Sequence, residues 1–109
     1  MKYMMIVCHD PAIDAAAAGG GMDIDSWVKE MDGRRVRLEG RALDPGDATT
    51  VRVRGGEVLV SDGPFAETKE LMVGYDILDC ADLDEAIEVA SKHPLARRGA
   101  MELRPFGED

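Results

Sequence analysis

The chain of 109 residues carries 22 acidic and 13 basic side chains, which gives a formal net charge of −9. A negative field of this size repels phosphate backbones, so we expect no direct binding of nucleic acid. The length predicts a single domain over residues 1–109, with one hydrophobic core that needs no metal or disulfide cross-link.

The N-terminal segment predicts a buried strand. Met4 to Cys8 is a continuous apolar run that Asp10-Pro11 ends, which is typical of a central strand buried on both faces. The run is too short for a signal peptide, and no segment approaches the ~20 apolar residues of a membrane span. We therefore expect a cytoplasmic protein without membrane contact, in which Cys8 and Cys80 are reduced thiols. We predict a mobile connection over residues 11–22, because the three glycines 19–21 end any helical turn that the preceding alanines could form.

A first amphipathic helix follows. Its apolar stripe has offsets of 0, 3, 4 and 7 and consists of Ile24, Trp27, Val28 and Met31. Either Asp23 or Asp25 can cap the helix, and Asp32-Gly33 can end it, so the helix is predicted over 23–33. The alternation from Val36 to Gly40 then predicts a half-exposed strand.

The middle of the chain predicts a β-hairpin and a further strand. Thr49–Arg54 and Glu57–Ser61 flank Gly55-Gly56, a two-residue hairpin signal, with the valines on one side. Residues 72–78 alternate in the manner of a strand, and Gly74 within it indicates a bulge or the close approach of another backbone.

The C-terminal third predicts a second helix and a last strand. Asp82 to Glu85 resembles a capping box, and His93-Pro94 ends the helix. The predicted buried stripe consists of Leu83, Ala86, Ile87 and Ala90. Met101 to Arg104 alternate as a final strand. The order β-α-β, hairpin, β-α-β predicts an α+β, ferredoxin-like two-layer sandwich with an inserted β-hairpin. One face of its sheet stays uncovered and apolar, which favours a homodimer.

The loop from Asp62 to Glu70 is the main candidate for a functional site. It combines a turn, a phenylalanine, three carboxylates and one ammonium between two predicted strands. In one interpretation, Asp62 or Glu67 accepts a proton, Lys69 holds an anionic group and Phe65 forms an apolar wall. In the other, ion pairs and a buried Phe65 merely fix the shape of the turn.

Other chemistry-bearing residues are few. Tyr75 lies just beyond the loop, where its hydroxyl can donate into a cleft or be satisfied within the core. His9 ends the first strand beside Asp10 and can shuttle protons or contact solvent. We interpret His93 as a helix C-terminal histidine favoured by the macrodipole. The spacing of the histidines and cysteines matches no metal motif, so no metal or cofactor is expected.

The string DGPFAETKE, Asp62 to Glu70, resembles the signature of the DGPF-domain branch of the YCII-related family. The resemblance extends over nearly the whole chain. It includes residues 1–4, 48–52, 82–86 and 102–105. It implies a ferredoxin-like fold and a dimeric α/β-barrel arrangement, and in some members an association with extracytoplasmic-function sigma factors.

The wider YCII-related group is similar to a dehydrochlorinase that uses a His–Asp pair. The histidine of that pair belongs to the first helix, and residues 23–33 of this chain contain no histidine. That mechanism is therefore not carried over.

Two hypotheses of different class follow. In the first, the protein is a dimeric small-molecule binding protein or acid–base enzyme with a cleft at the Asp62–Glu70 loop. The catalytic candidates are His9, Asp62 and Glu67. The binding candidates are Phe65, Lys69 and Tyr75. In the second, it is a non-catalytic interaction module, linked by the family resemblance to sigma factors. The sequence does not decide whether the protein is an enzyme.

Overall fold

The computed structural model describes residues 1–13, 19–44, 46–63 and 71–107. Within them, the elements in chain order are β1 (Lys2–His9), α1 (Ile24–Gly33), β2 (Arg37–Ala42), β3 (Thr49–Arg54), β4 (Glu57–Asp62), β5 (Leu71–Asp79), α2 (Leu83–Ser91), a 3₁₀ helix (Pro94–Arg97) and β6 (Gly99–Pro105). Each predicted helix and strand is confirmed, with ends that differ by a few residues.

Four of the strands form one sheet in the order β2-β5-β1-β6, and each neighbouring pair is antiparallel. The remaining two strands, β3 and β4, form a separate antiparallel ribbon. Each helix connects two strands that are not neighbours, α1 between β1 and β2 and α2 between β5 and β6. This order of elements is compatible with the predicted ferredoxin-like fold.

The core lies between the helices and one face of the four-stranded sheet. Tyr3, Met5 and Val7 of β1 are buried there, and residues of both helices belong to the same apolar cluster. On the opposite face, Met4 and Ile6 are only half-buried. The central position of this strand is confirmed, but within one chain its burial on both faces is wrong, because the described layers cover only one face.

Helix α1 is capped by one of the two residues predicted for that role. Asp23 is its N-cap, and its Oδ1 accepts a hydrogen bond from the backbone N–H of Ser26 at 2.7 Å. Trp27 and Met31 are fully buried, whereas Ile24 is 46% exposed. The indole Nε1 of Trp27 donates to the backbone oxygen of Val89 in α2 at 3.0 Å, so one side chain joins the two helices.

Helix α2 has the predicted cap and part of the predicted buried stripe. Asp82 accepts from the backbone N–H of Glu85 at 2.9 Å. The buried residues are Ala86, Val89 and Ala90, whereas Leu83 and Ile87 are half-exposed. The predicted stripe is therefore correct at Ala86 and Ala90 and wrong at the other two positions, since Val89 is buried in their place.

The ribbon places four valines on one face, as predicted. Val51 pairs with Val60, and Val53 pairs with Val58. Gly55 and Gly56, at the tip, both have positive φ, 58° and 81°, which the tight turn of a two-residue hairpin requires. No helix in the described part of the chain is long and apolar enough to cross a bilayer.

Candidate functional site

The structure fixes the start of the predicted functional loop. Asp62 ends β4, and Gly63 follows with a φ of 96°. The backbone N–H of Gly63 donates to Ala48, and its carbonyl accepts from the Thr50 hydroxyl at 2.7 Å. Of the predicted site residues, Phe65, Glu67 and Lys69 lie outside the described residues.

The end of this loop enters the main sheet beside His9. Leu71, the first residue of β5, pairs with His9 on one side, and Gly99 of β6 pairs with His9 on the other. A Cβ on Gly99 would collide with the backbone of Cys8, so this close approach requires glycine. The structure therefore brings His9 next to the point where the Asp62–Glu70 loop ends.

Tyr75 lies on the sheet face without helices. It pairs with Ile6, and its hydroxyl donates to Oε1 of Glu39 at 2.8 Å. This hydrogen bond to a carboxylate raises the pKa of Tyr75 above its usual range. Its neighbour Gly74 confirms the expected close approach, because a Cβ there would lie 2.9 Å from the backbone oxygen of Arg41.

A cleft lies between α1, the sheet and the 3₁₀ helix, and we call it the His93 cleft. Its larger chamber, about 530 Å³, is lined by residues 20–24, His93, Pro94, Leu95 and Arg98. A smaller chamber of about 200 Å³ extends toward Trp27, Gly74 and Asp76. Ile24, His93 and Leu95 line both chambers. Sequence reasoning missed this cleft, because its walls come from segments far apart in the chain.

His93 follows the C-cap of α2, as predicted, and is also the N-cap of the 3₁₀ helix; the macrodipole interpretation was wrong, because the buried ring carries no charge. Its Nδ1 accepts a hydrogen bond from the backbone N–H of Leu95 at 3.0 Å. Its ring packs edge-on against Trp27, with the ring centroids 4.7 Å apart. Only 4% of the residue is exposed, and this burial lowers its pKa to about 4. His93 is therefore neutral at physiological pH.

The second ring nitrogen of His93 is available to a ligand. Because Nδ1 accepts the Leu95 N–H, the proton of the neutral ring lies on Nε2. No described residue accepts a hydrogen bond from Nε2. Every fully buried side-chain nitrogen or oxygen of the described chain has a partner, so a nitrogen without one cannot be fully buried. Nε2 is therefore not sealed in the core, and His93 lines both chambers. The Nε2–H is therefore an accessible donor on a residue that lines the cleft.

A buried ion pair lines the smaller chamber. Asp76 is 5% exposed, and its Oδ1 accepts from Nε of Arg37 at 2.8 Å. Burial raises the pKa of the Asp76 carboxyl, and the Arg37 guanidinium opposes that effect. Arg37 also donates to Asp32 at 3.1 Å. Gly40 pairs directly with Asp76, and any Cβ there would collide with both members of the pair.

No local pattern marked Asp76 or its partner. Arg37 lies 39 residues away, in a strand that meets β5 only in the folded sheet. The glycine in β2 was the one sequence feature connected with the pair, since only glycine leaves space for it.

The described part of the cleft suits binding more than proton transfer. The proton of neutral His93 lies on Nε2, so the accessible nitrogen is a donor and not a base, and Asp76 is occupied by Arg37. Within residues 1–13, 19–44, 46–63 and 71–107, no three metal-binding side chains are grouped together. The described walls thus provide hydrogen-bond donors and apolar surface.

Two comparisons connect the chain with known proteins. The model of the YCII-related domain family matches residues 1–108. A protein of Rhizobium meliloti (strain 1021), described only as uncharacterized, is 34% identical; the match covers 97% of this chain and 92% of that protein.

Proposed function

Because the chain belongs to the YCII-related domain family, we propose that it is a small-molecule binding protein of that family, whose ligand occupies the His93 cleft. The observation that supports the proposal is His93 itself. Only 4% of the residue is exposed, yet its Nε2–H has no partner among the described residues, and His93 lines both chambers. An accessible donor on an otherwise buried side chain suits a binding site, where a few polar groups orient a molecule within apolar walls.

We place the Asp62–Glu70 loop at the rim of this site. The loop ends at Leu71, beside His9, and Val7 in the same strand lines the smaller chamber. Phe65 and Lys69 are the proposed contacts to the ligand from the loop, and the main-chain atoms of Tyr75 contribute from β5. If the site also catalyses a reaction, His9, Asp62 and Glu67 are the proposed acid–base groups. The DGPFAETKE string supports assignment to the DGPF branch.

A thermal-shift screen of small molecules tests this function. A ligand at 100 times its dissociation constant should stabilise the wild-type protein by ~2.7 kcal/mol. His93→Asn keeps an acceptor for the Leu95 N–H but removes the Nε2 donor, so it should abolish the shift. Glu67→Ala and Lys69→Ala should weaken it if the loop lies at the site. Glu57→Ala, at the tip of the ribbon, is the matched control.

Two outcomes would contradict the proposal. A screen in which no compound stabilises the wild type removes the binding function. Hits that stabilise His93→Asn as strongly as the wild type would move the site away from the cleft.

A different observation supports a second candidate function, a non-catalytic interaction module. The valines on one face of the β3–β4 ribbon are 58–66% exposed. An apolar face of this kind is a typical protein-binding surface. In this alternative the protein is a cytoplasmic homodimer, and a partner associated with sigma factors covers the ribbon. The reduced state of Cys8 and Cys80 is compatible with that compartment.

A further inference from the structure

We infer that the His93 cleft binds a small organic acid, with the carboxylate held at the segment from His93 to Arg98 and an apolar body in the larger chamber. This inference rests on the proposed binding function and adds the chemical class of the ligand. It is carried by the polar groups that remain unused around the cleft and by the apolar walls.

The unused polar groups at this segment are hydrogen-bond donors. His93 offers its Nε2–H, and Arg98 lines the same chamber. Among the described residues, neither Arg97 nor Arg98 forms an ion pair with a carboxylate. A ligand that satisfies these groups must therefore supply acceptors, and a carboxylate is an acceptor that a guanidinium binds in bidentate geometry.

The exposed side chain of Arg97 lies beside the cleft, against two glycines. Its guanidinium lies against Gly20 and Gly21, and a Cβ on Gly21 would collide with it. Both glycines have positive φ, 101° and 82°. Arg97 also lines an adjoining recess of about 180 Å³ that His93 shares. Glycines at this wall thus allow a second cation to approach the buried histidine.

The carboxylates near the cleft already have partners. Asp23 lines the larger chamber, and its Oδ1 caps α1 by accepting the Ser26 N–H, which holds its pKa below the usual range. Asp76 is paired with Arg37. Asp23 keeps its negative charge, so the attraction of an anion to this cleft depends on Arg97 and Arg98 outweighing that single carboxylate.

The remaining walls select an organic body over a bare inorganic anion. Met22, Ile24, Pro94 and Leu95 line the larger chamber. Its volume of about 530 Å³ lies within the range of small-molecule sites, roughly 300–1,000 Å³. An acid with an alkyl or aryl group can contact these walls while its carboxylate meets the donors.

Matched pairs of acids and amides test the ligand class on the full chain. Hexanoate and hexanamide, and phenylacetate and phenylacetamide, have nearly the same shape and differ in charge. Affinities come from thermal shift and from the indole N–H resonance of Trp27, the single tryptophan, which packs against His93. We expect each acid to bind about tenfold more tightly than its amide, since a hydrogen bond to a charged group is worth at least that factor.

Two arginine variants test which guanidinium groups bind the carboxylate of the ligand. Arg98→Met and Arg97→Met retain an apolar stem of similar length and should each weaken binding of the acids by about tenfold, while binding of the amides stays the same. Arg54→Met, at the tip of the ribbon, is the matched control and should change neither.

The outcomes separate this inference from the binding function. Equal affinities for acid and amide would overturn the ligand class and leave a neutral-ligand site in place. Inorganic phosphate that binds as well as the acids would overturn the organic body. If neither the acids nor the amides perturb the Trp27 resonance while other compounds do, the organic-acid class is wrong and the binding function stands. If no compound perturbs it, both the class and the binding function fail.

Discussion

At the scale of single residues, His93 makes the stability of the protein depend on pH. Its pKa is lowered from 6.5 to about 4 in the folded state, so between these values the unfolded chain binds the proton more strongly. Its contribution to the free energy of unfolding is therefore complete above pH 6.5 and is lost as the pH falls toward 4. A shift of this size corresponds to ~3 kcal/mol.

The measurement is urea unfolding across that range, followed by the fluorescence of buried Trp27. We expect His93→Asn to remove most of the slope between pH 4 and 6.5, although the variant is less stable at every pH. The same change at His9, the other histidine of the chain, serves as control. If the free energy of unfolding of His93→Asn depended on pH as steeply as that of the wild type, the burial of a neutral His93 ring would be contradicted.

The same residue explains why the site was only partly predictable. The turn at His93-Pro94 follows from local chemistry, and the structure confirms that α2 ends before it. Burial of the ring depends on Trp27, in the other helix, and the Arg37–Asp76 pair depends on the register of β2 against β5. Periodicity describes which face a residue occupies within its own element, not which residues of other elements meet it.

At the scale of elements, helix α2 illustrates the same limit. Leu83, Ala86, Ile87 and Ala90 satisfy the helical spacing, and so does a stripe that contains Val89. The structure buries Val89 together with Ala86 and Ala90, and the backbone oxygen of Val89 accepts the hydrogen bond from the Trp27 indole. The capping signal of Asp82 was local and was predicted correctly.

The β3–β4 ribbon gives the prediction at this scale. A two-stranded ribbon is marginally stable unless another surface covers it. If an outside partner covers the valines, the amides of β3 and β4 in the purified protein should exchange with deuterium at least about a hundredfold faster than those of β1, equivalent to ~3 kcal/mol of opening free energy. Hydrogen exchange read by mass spectrometry measures this difference.

Variants of the ribbon separate the outside partner from a second copy of the chain. Val53→Lys combined with Val58→Lys alters the valine face, and Leu59→Lys, on the other face of the ribbon, is the control. The wild-type ribbon amides could instead be strongly protected from hydrogen exchange, and only the valine variant could lose that protection. A second copy of the chain would then already cover this face. That result would contradict its availability to an outside partner.

At the scale of the whole molecule, one face of the four-stranded sheet has no described layer over it. Met4, Ile6 and Ile77 are half-buried on that face. Polar pairs flank them, with the Tyr75 hydroxyl bonded to Glu39 on one side and Arg104 bonded to Glu102 on the other. An apolar centre with a polar rim is the arrangement of a protein–protein interface. The dimeric arrangement proposed for this family member would place two such faces together.

Ile77→Lys tests this arrangement. Ile77 pairs with Glu39 across the strands, so the lysine gains a partner of opposite charge and the fold should persist. In a dimer, two desolvated lysines would meet at the interface and oppose association. We expect the wild type to sediment as a dimer and Ile77→Lys as a monomer with an unchanged circular dichroism spectrum. Ile87→Lys, on the exposed side of α2, should remain dimeric. A monomeric wild type, or a dimeric Ile77→Lys variant, would rule out pairing through the sheet.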